Sequence, residues 1–317
     1  MDGDNLERSY KYHPGGYITW AQKDHSADRV LVPENIGEHL CIDETSLQDD
    51  LFTILSNKAG HGRQGAIISM VRGTKACEVV KVLKQMPEED RLKVKEVTLD
   101  MPESMRSIVE QVFPNAIITL DCFHIVKRCL EAVEELRLRY KRDAQKKIKK
   151  LERLFRARLK RNAYQRKWRR KKHPKNYKGK RRGPKPLRLN AKFHPPVLEN
   201  GDTLLELLFA MCPKLKEAYD LVHKLRSIFK SKKLTRDAAK TKLHEWYQTV
   251  ADCSLREVKS ARDTIKDREE NVLNYFINHA TNAAAESLNS KLKGFRAQVR
   301  GVSDLPFFMY RICKIFG

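Results

Sequence analysis

Apolar positions over residues 39–121 recur at spacings that predict strands and helices in a regular order. Apolar runs bounded by turn-forming or acidic residues predict strands at 39–47, 51–59, 65–71, 94–100 and 115–121. Helical spacing over 75–85 and 102–112 predicts a helix between each of the last three strands. The order βββαβαβ predicts an α/β fold, with helices packed on a mixed sheet.

From residue 123 onward the pattern is almost entirely helical. Helices are predicted from 125 into a basic stretch, over 203–229 and 235–251, from Ser254 and over 282–298. Ser254 and Glu257 have the spacing of a capping box. Residues 173–196 hold five prolines and predict a loop. The predicted organisation is an N-terminal extension at 1–38, a core in two parts at 39–128 and 273–317, and a helical insertion at 129–272.

One segment, the basic arm at 137–188, carries the whole positive excess of the chain. It contains 26 Lys and Arg residues and two acids, whereas the full 317 residues contain 64 and 40. The rest of the chain is therefore neutral. A cation-dense arm on a neutral body is typical of nucleic-acid binding, and a solvated charged helix without a partner is the alternative. The cations expected to contact DNA are Lys127, Arg128, Lys167, Arg169, Arg170, Lys171 and Lys172.

Cysteine usage and hydropathy exclude several classes of protein. Seven scattered cysteines without a CxxC pair support neither a disulfide framework nor a zinc ribbon. The N-terminus lacks an apolar signal region, and no apolar run approaches the length of a membrane span. We therefore expect an intracellular protein in a reducing compartment, without a membrane partner.

Three acids have positions that suggest a metal site. Asp43 and Asp100 are each expected to close a strand, and sites in open α/β folds form at such strand ends. Glu286 lies in the last long predicted helix. Helical spacing puts Asn282, Glu286, Asn289 and Lys293 on one face of that helix.

Convergent carboxylates suit hard divalent ions such as Mg²⁺, and a pair of such ions promotes phosphodiester chemistry. Each acid alone has a structural alternative. Asp43 is also typical of an Asx turn, Asp100 of a helix N-cap, and Glu286 of a solvated helix surface. Only the combination of the three on this order of elements favours a site.

Four sequence blocks carry a resemblance to a known family. They are CIDETS (41–46), VTLDM (97–101), FPNAIITLDCFHIVKR (113–128) and TNAAAESLNSKLKGFR (281–296). They resemble the DDE insertion-sequence transposases of the ISL-three family, particularly the compact subgroup encoded beside a separate small reading frame. The resemblance covers roughly residues 15–135 and 270–315.

The resemblance implies a ribonuclease-H-like core that the basic helical insertion interrupts before the last catalytic helix. It further implies that Asp43, Asp100 and Glu286 form a catalytic, metal-binding triad for two Mg²⁺ ions, with Mn²⁺ able to substitute. Asp43 would then bridge both ions. The expected activity is cleavage of element ends and strand transfer into target DNA. The alternatives are a non-catalytic nucleic-acid-binding protein and a ribonuclease-H-like nuclease without strand transfer.

Accessory residues are expected around the triad. Asp121 and His124 match a further motif shared by related transposases. His124 is expected either to contact DNA, to orient the metal site, or to be a buried histidine bonded to Asp121. Asn282 and Asn289 share the helical face of Glu286, and Lys293 on that face is expected to reach the scissile phosphate.

The chain departs from larger family members before the first catalytic acid. Those members carry an N-terminal zinc-binding and helix-turn-helix region, whereas about forty residues without cysteine pairs precede Asp43. We therefore expect a separate protein to recognise the element ends. The remaining expectations are a homo-oligomer on DNA and a bacterial, cytoplasmic, nucleoid-associated location.

Overall fold

A computed structural model describes residues 8–9, 11–12, 16–47, 50–173, 204–299 and 304–317. It contains one mixed sheet of six strands, in the order β1-β4-β3-β2-β5-β6. β1, β4, β3 and β2 pair antiparallel in that order, and β2, β5 and β6 pair parallel. The mixed α/β fold predicted from the sequence is confirmed. The strands are β1 (Arg29–Leu31), β2 (His39–Leu47), β3 (Asp50–Asn57), β4 (Ile67–Arg72), β5 (Glu96–Leu99) and β6 (Ile117–Leu120).

Helices follow the sheet strands and fill the C-terminal half of the chain. Those within the sheet region are α1 (Ala76–Leu83), α2 (Glu88–Leu92) and α3 (Glu103–Val112). After β6 come α4 (Cys122–Lys172), α5 (Leu204–Met211), α6 (Pro213–Lys230), α7 (Arg236–Asp252), α8 (Arg256–Lys266), α9 (Glu269–Leu273), α10 (Tyr275–Asn278), α11 (Ala283–Gln298) and α12 (Leu305–Phe316). Short 3₁₀ turns lie at Lys23–His25, Pro33–Asn35 and Lys58–Gly60.

Several elements were missed in the sequence prediction, namely β1, α12 and the short helices α2, α9 and α10. β1 has only three residues and adds an edge strand to β4, where the Gln22 side chain bonds both backbone groups of Leu31 at 2.7 and 2.8 Å. α12 is apolar on most of its circumference, and Phe308, Met309 and Ile312 among others are buried. A helix that is buried nearly all round lacks the polar stripe by which periodicity is recognised.

Two predicted helix boundaries were wrong. The helix predicted over 203–229 is two helices, because Pro213 begins α6 and cannot donate the backbone bond that would continue α5. The capping box at Ser254 does not form. Leu255 is extended with a buried side chain, so α8 begins at Arg256, and Glu257 pairs with Arg139 of α4. The loop predicted over 173–196 lies outside the described residues except for His173.

The two faces of the sheet are covered by different helices. On one face, Ile42, Leu99 and Leu120 belong to an apolar core with α1, α3 and the inner sides of α4 and α6 to α10. On the other face, Ile54 and Met70 pack with α11 and α12. α11 therefore lies on the face opposite α1 and α3.

α4 is the longest element, with 51 residues and a length of about 75 Å. It contains neither Gly nor Pro, and its Lys, Arg, Leu and Ala residues are good helix formers. Its first four turns bury Ile125, Cys129, Ala132 and Leu136 against the other helices. From residue 141 to 172 every side chain is exposed except the half-buried Phe155. The described part of the basic arm is therefore a helix that projects from the body.

Burial predicts that α12 is essential to the core although its sequence did not reveal it. Phe308 is fully buried and stacks on Phe295 with ring centroids 5.7 Å apart. We expect Phe308→Ala to lower the free energy of unfolding by about 3–5 kcal/mol in urea titrations, through lost burial and a cavity. The exposed Ile315→Ala on the same helix is the control and should cost under about 1 kcal/mol. Similar losses in both variants would contradict the packing described.

Candidate active site

Sheet register places three carboxylates side by side. The last parallel pairs are Ile42 with Leu99 and Leu99 with Leu120. The next residues along the three strands are Asp43, Asp100 and Asp121. Residues that are in register on neighbouring strands point to the same side of a sheet. All three side chains therefore project from the face that α11 covers. This row is the foundation of the candidate site.

The expectation that Asp43 closes a strand was wrong. Its parallel partner β5 ends at Leu99, but antiparallel pairing with β3 continues past Asp43 to Leu47. Asp43 thus lies in mid-strand, at the point where one of its two neighbours ends. Asp100 does follow directly on β5, and it is not a helix N-cap, since Pro102 occupies that position before α3.

α11 brings two amides and Glu286 to this row. The Asn289 Nδ2 donates to Asp43 Oδ2 at 2.7 Å, and the Asn282 Nδ2 donates to Asp100 Oδ1 at 3.2 Å. Both asparagines are buried, whereas Glu286 between them is exposed. Glu286 therefore stands on the helix between the residues that hold Asp43 and Asp100. Lys293 lies further along α11, is exposed, and has no hydrogen bond or ion pair within the described residues.

Asp121 and His124 form the start of α4 and touch the same row. Asp121 is buried, caps the helix by accepting from the Phe123 N–H at 3.3 Å, and bonds His124 Nδ1 at 3.0 Å. The same nitrogen is 2.9 Å from Asp100 Oδ1. Of the expected arrangements for His124, the bond to Asp121 is present, and a bond to Asp100 joins it.

Crowding of like charges perturbs the ionisation of this cluster. Burial first, and then the Asp100 carboxylate, raise the pKa of Asp43 to about 6, and Glu286 adds to the rise. Hydrogen bonds to Asp100 and then to Asp121 raise the pKa of His124 to about 10. Burial and Asp100 also raise the pKa of Glu44. Glu44 was not predicted as a member of this cluster from the sequence. Its position next to Asp43 was the only feature that could have indicated it.

The ligand atoms of Asp100, Asp121 and His124 lie within 4.8 Å of one another. The Nδ1 atom that His124 contributes to this group is the atom that bonds both carboxylates. The charges of Asp100 and Glu286 both act on Asp43, so these three carboxylates are hard oxygen donors that lie near one another. Carboxylate oxygens of this kind fit Mg²⁺ or Mn²⁺ better than soft metals.

The expected DNA contacts divide into two groups by position. Lys127 and Arg128 are exposed one turn beyond His124, and Arg128 is 3.4 Å from Glu131. The second group lies at the tip of α4, more than about 60 Å along the helix from His124, and is also exposed. The structure therefore does not bring the tip of the arm to the candidate site. That group comprises Lys167, Arg169, Arg170, Lys171 and Lys172.

Comparison with known families agrees with this geometry. The family profile of the ISL-three DDE transposases, described as a transposase, matches residues 40–312. The chain belongs to this family. Curated proteins and solved structures gave no match. The matched span of this transposase includes the whole carboxylate row, α4 and Glu286. Within the described residues, no helix is long and apolar enough to cross a membrane.

Ionisation of Asp43 predicts a pH-dependent stability without metal. Its pKa is about 6 in the fold against 3.8 ordinarily, so its contribution to stability is present below about pH 4 and is lost as pH rises through 6. In EDTA at about pH 8, we expect Asp43→Asn to be more stable than the wild type, with a free energy of unfolding that is higher by about 1–2 kcal/mol.

The same comparison at about pH 4 should show a smaller difference, because Asp43 is then protonated in the fold and about half protonated in the unfolded chain, where its pKa is 3.8. Glu88→Gln on the exposed surface of α2 is the control. Its free energy of unfolding should differ from that of the wild type by the same amount at both pH values. A pH-independent effect of Asp43→Asn would contradict the burial and repulsion assigned to this carboxylate.

Proposed function

We propose that this transposase is a catalytic subunit that cleaves the ends of a DNA element and joins them to target DNA. The observation that carries the proposal is the position of Glu286 on α11, between the asparagines bonded to Asp100 and Asp43. Three carboxylates from distant parts of the chain thus converge on one region, as metal-dependent phosphodiester chemistry requires.

The arrangement of the sheet supports a ribonuclease-H-like core. Three antiparallel strands, β4, β3 and β2, are followed across the sheet by the parallel strands β5 and β6. The two strands that position carboxylates of the proposed triad are adjacent: β2 contains Asp43, and Asp100 follows β5. The helical insertion lies between β6 and α11, which accounts for the long sequence gap between Asp100 and Glu286.

Asp43, Asp100 and Glu286 would hold two Mg²⁺ ions, with Mn²⁺ as a substitute. When bound, such ions stabilise the attacking and leaving oxygens of an in-line displacement at phosphorus. The chain supplies the orientation. Asn289 fixes one oxygen of Asp43, and Asn282 fixes one oxygen of Asp100. His124, held by Asp121, bonds the same oxygen of Asp100, Oδ1.

The same residues support two successive attacks at one place. Water is the first nucleophile and the 3′-hydroxyl of the cleaved DNA is the second, so no covalent enzyme intermediate is needed. Lys127 lies one turn beyond His124 and is placed to bind the phosphate backbone next to the site. The arm binds DNA at a distance, and a homo-oligomer assembles on the DNA.

The triad predicts three equivalent losses of activity. We expect Asp43→Ala, Asp100→Ala and Glu286→Ala each to lower Mg²⁺-dependent cleavage of element-end DNA by roughly a hundredfold or more, because each removes a metal ligand. DNA binding should stay within a few fold, since the arm is untouched. The measurements are cleavage and strand-transfer products on gels, with affinity by fluorescence anisotropy.

Ser287→Ala changes the exposed neighbour of Glu286 on α11 and serves as the matched control, with cleavage expected to be unchanged. Substantial cutting by a folded variant would remove that residue from the triad. Fragments without joined products would indicate a nuclease that lacks strand transfer. Binding without any cutting by the wild type would indicate a non-catalytic DNA-binding protein.

The basic arm predicts a steep dependence of DNA affinity on salt. Between Arg137 and Lys172 lie 19 Lys and Arg residues and two acids, on a helix exposed from residue 141 onward. Each phosphate contact on duplex DNA adds roughly 0.9 to the slope of log affinity against log salt. We expect a variant with five glutamines at the tip to lose about 3–4 units of that slope for all sequences alike. Its substitutions are Lys167→Gln, Arg169→Gln, Arg170→Gln, Lys171→Gln and Lys172→Gln.

Removing two exposed cations at the end of α1, by Lys81→Gln with Lys84→Gln, is the control and should leave the slope unchanged. The slope is measured by anisotropy titrations at several salt concentrations. An unchanged slope in the five-residue variant would show that the tip of α4 does not hold DNA.

A further inference from the structure

A groove opens beside the candidate site, between the first turns of α4 and the last turns of α6. Its volume is about 570 Å³, which lies within the range of small-ligand sites. Cys122, Phe123 and Val126 line it from α4, and Arg226, Phe229 and Lys230 line it from α6. The catalytic proposal above does not use this groove.

Phe123 is the unusual residue of the groove. Phe123 is 59% exposed, although Asp121 and Ile125, two residues away on either side, are buried. The ring meets the His124 ring edge-on, with centroids 5.6 Å apart. His124 in turn bonds Asp100, so an exposed aromatic face begins one residue from the candidate site. The exposed ring therefore offers a free aromatic face at the mouth of the groove, available for stacking.

The walls of the groove carry cations and no acids. Arg226 and Lys230 are one turn apart on the exposed side of α6, and neither has an ion-pair partner within the described residues. The lining also includes His223. Phe229 forms an apolar floor that is fixed by stacking on Phe276, with centroids 5.5 Å apart. A preformed apolar floor, an exposed ring and two cations match the chemistry of a nucleotide.

We propose that this groove binds the nucleotide next to the cleaved phosphodiester, with its base stacked on Phe123 and its phosphate held by Arg226 and Lys230. The proposal rests on the proposed function, which places the cleaved bond at the carboxylate row. Stacking on an aromatic side chain within a cationic groove is how proteins hold unpaired nucleotides regardless of sequence. A base in the groove must leave the duplex, so the DNA strand is unpaired beside the cleavage position.

Stacking is tested with a duplex that carries a short unpaired 3′ tail and one 2-aminopurine at each tail position in turn. The full chain binds it with Ca²⁺ in place of Mg²⁺, so that no cleavage is needed. We expect fluorescence to be quenched at one tail position with the wild type and with Phe123→Tyr. Phe123→Leu should abolish the quenching and lower affinity for the tailed DNA by roughly tenfold, without affecting blunt duplex.

Leu130→Ala, an exposed apolar side chain two turns further along α4, is the control and should retain the quenching. Because Phe123 is exposed, the thermal unfolding midpoint of Phe123→Leu should match that of the wild type. Quenching that survives in Phe123→Leu, or that occurs at no tail position with the wild type, would overturn the proposal.

The cations are tested on the same tailed DNA. Arg226→Ala and Lys230→Ala should each reduce the salt slope by about 0.7 per lost phosphate contact on single-stranded DNA. Lys224→Ala removes an exposed lysine on another side of the same helix, outside this groove, and should leave the slope unchanged. Equal slopes in all three variants would overturn the assignment of phosphate to Arg226 and Lys230.

Cleavage by the wild type with Mg²⁺ is measured separately, so that failure of one proposal is distinguished from failure of the other. Quenching at one position without any cleavage would sustain nucleotide binding in the groove, and it would refute the catalytic proposal together with the position of the groove next to a cleaved bond. Cleavage without position-specific quenching would sustain the catalytic proposal and refute the groove.

Discussion

Electrostatic repulsion within one row of carboxylates is the constraint around which the site is built. Hydrogen-bonded register leaves Asp43, Asp100 and Asp121 adjacent at the edge of three strands, because β5 and β6 both end there. Burial first, and then the charge of Asp100, raise the pKa of Asp43 in this row. The donors that face the row, which come from α4 and α11, each satisfy an oxygen that would otherwise be buried against like charge. The helices at this face therefore also supply the hydrogen-bond donors that compensate the negative charge of the row.

The parts of the site come from distant regions of the sequence, and their convergence depends on topology. Parallel pairing of β2 with β5 brings Asp43 to Asp100, and α11 adds Glu286 after an intervening stretch of helices. That stretch has its own core of buried residues from α6 to α10, continuous with the core under the sheet. The insertion thus lengthens the chain between two site residues while it also supplies a wall beside them.

Short-range patterns in the sequence predicted much of this fold and little of its three-dimensional contacts. Alternation and apolar runs predicted the five longer strands. Helical spacing predicted α11, with Asn282, Glu286 and Asn289 on one face of the helix. β1 was missed because three residues are too few for a period, and α12 because it is apolar nearly all round. That His124 would contact Asp100 as well as Asp121 depends on the register of β5 against β6, which no local pattern encodes. The exposure of Phe123 is visible only in the structure, since a Phe at that spacing is equally typical of a core position.

α4 is one uninterrupted helix that connects the candidate site to the distant cations at its tip. Its first turn contains the Asp121 cap and His124, and its last turns carry the cations of the tip. No Gly, Pro or described break interrupts the backbone between them. For a rod of about 75 Å, a tilt of about 1° at the base moves the tip by about 1 Å. A partner that clamps the tip therefore has a long lever arm over the orientation of the first turn. Because the tip lies more than about 60 Å along the helix from His124, any effect of the tip on the carboxylate row would have to pass along the backbone of α4.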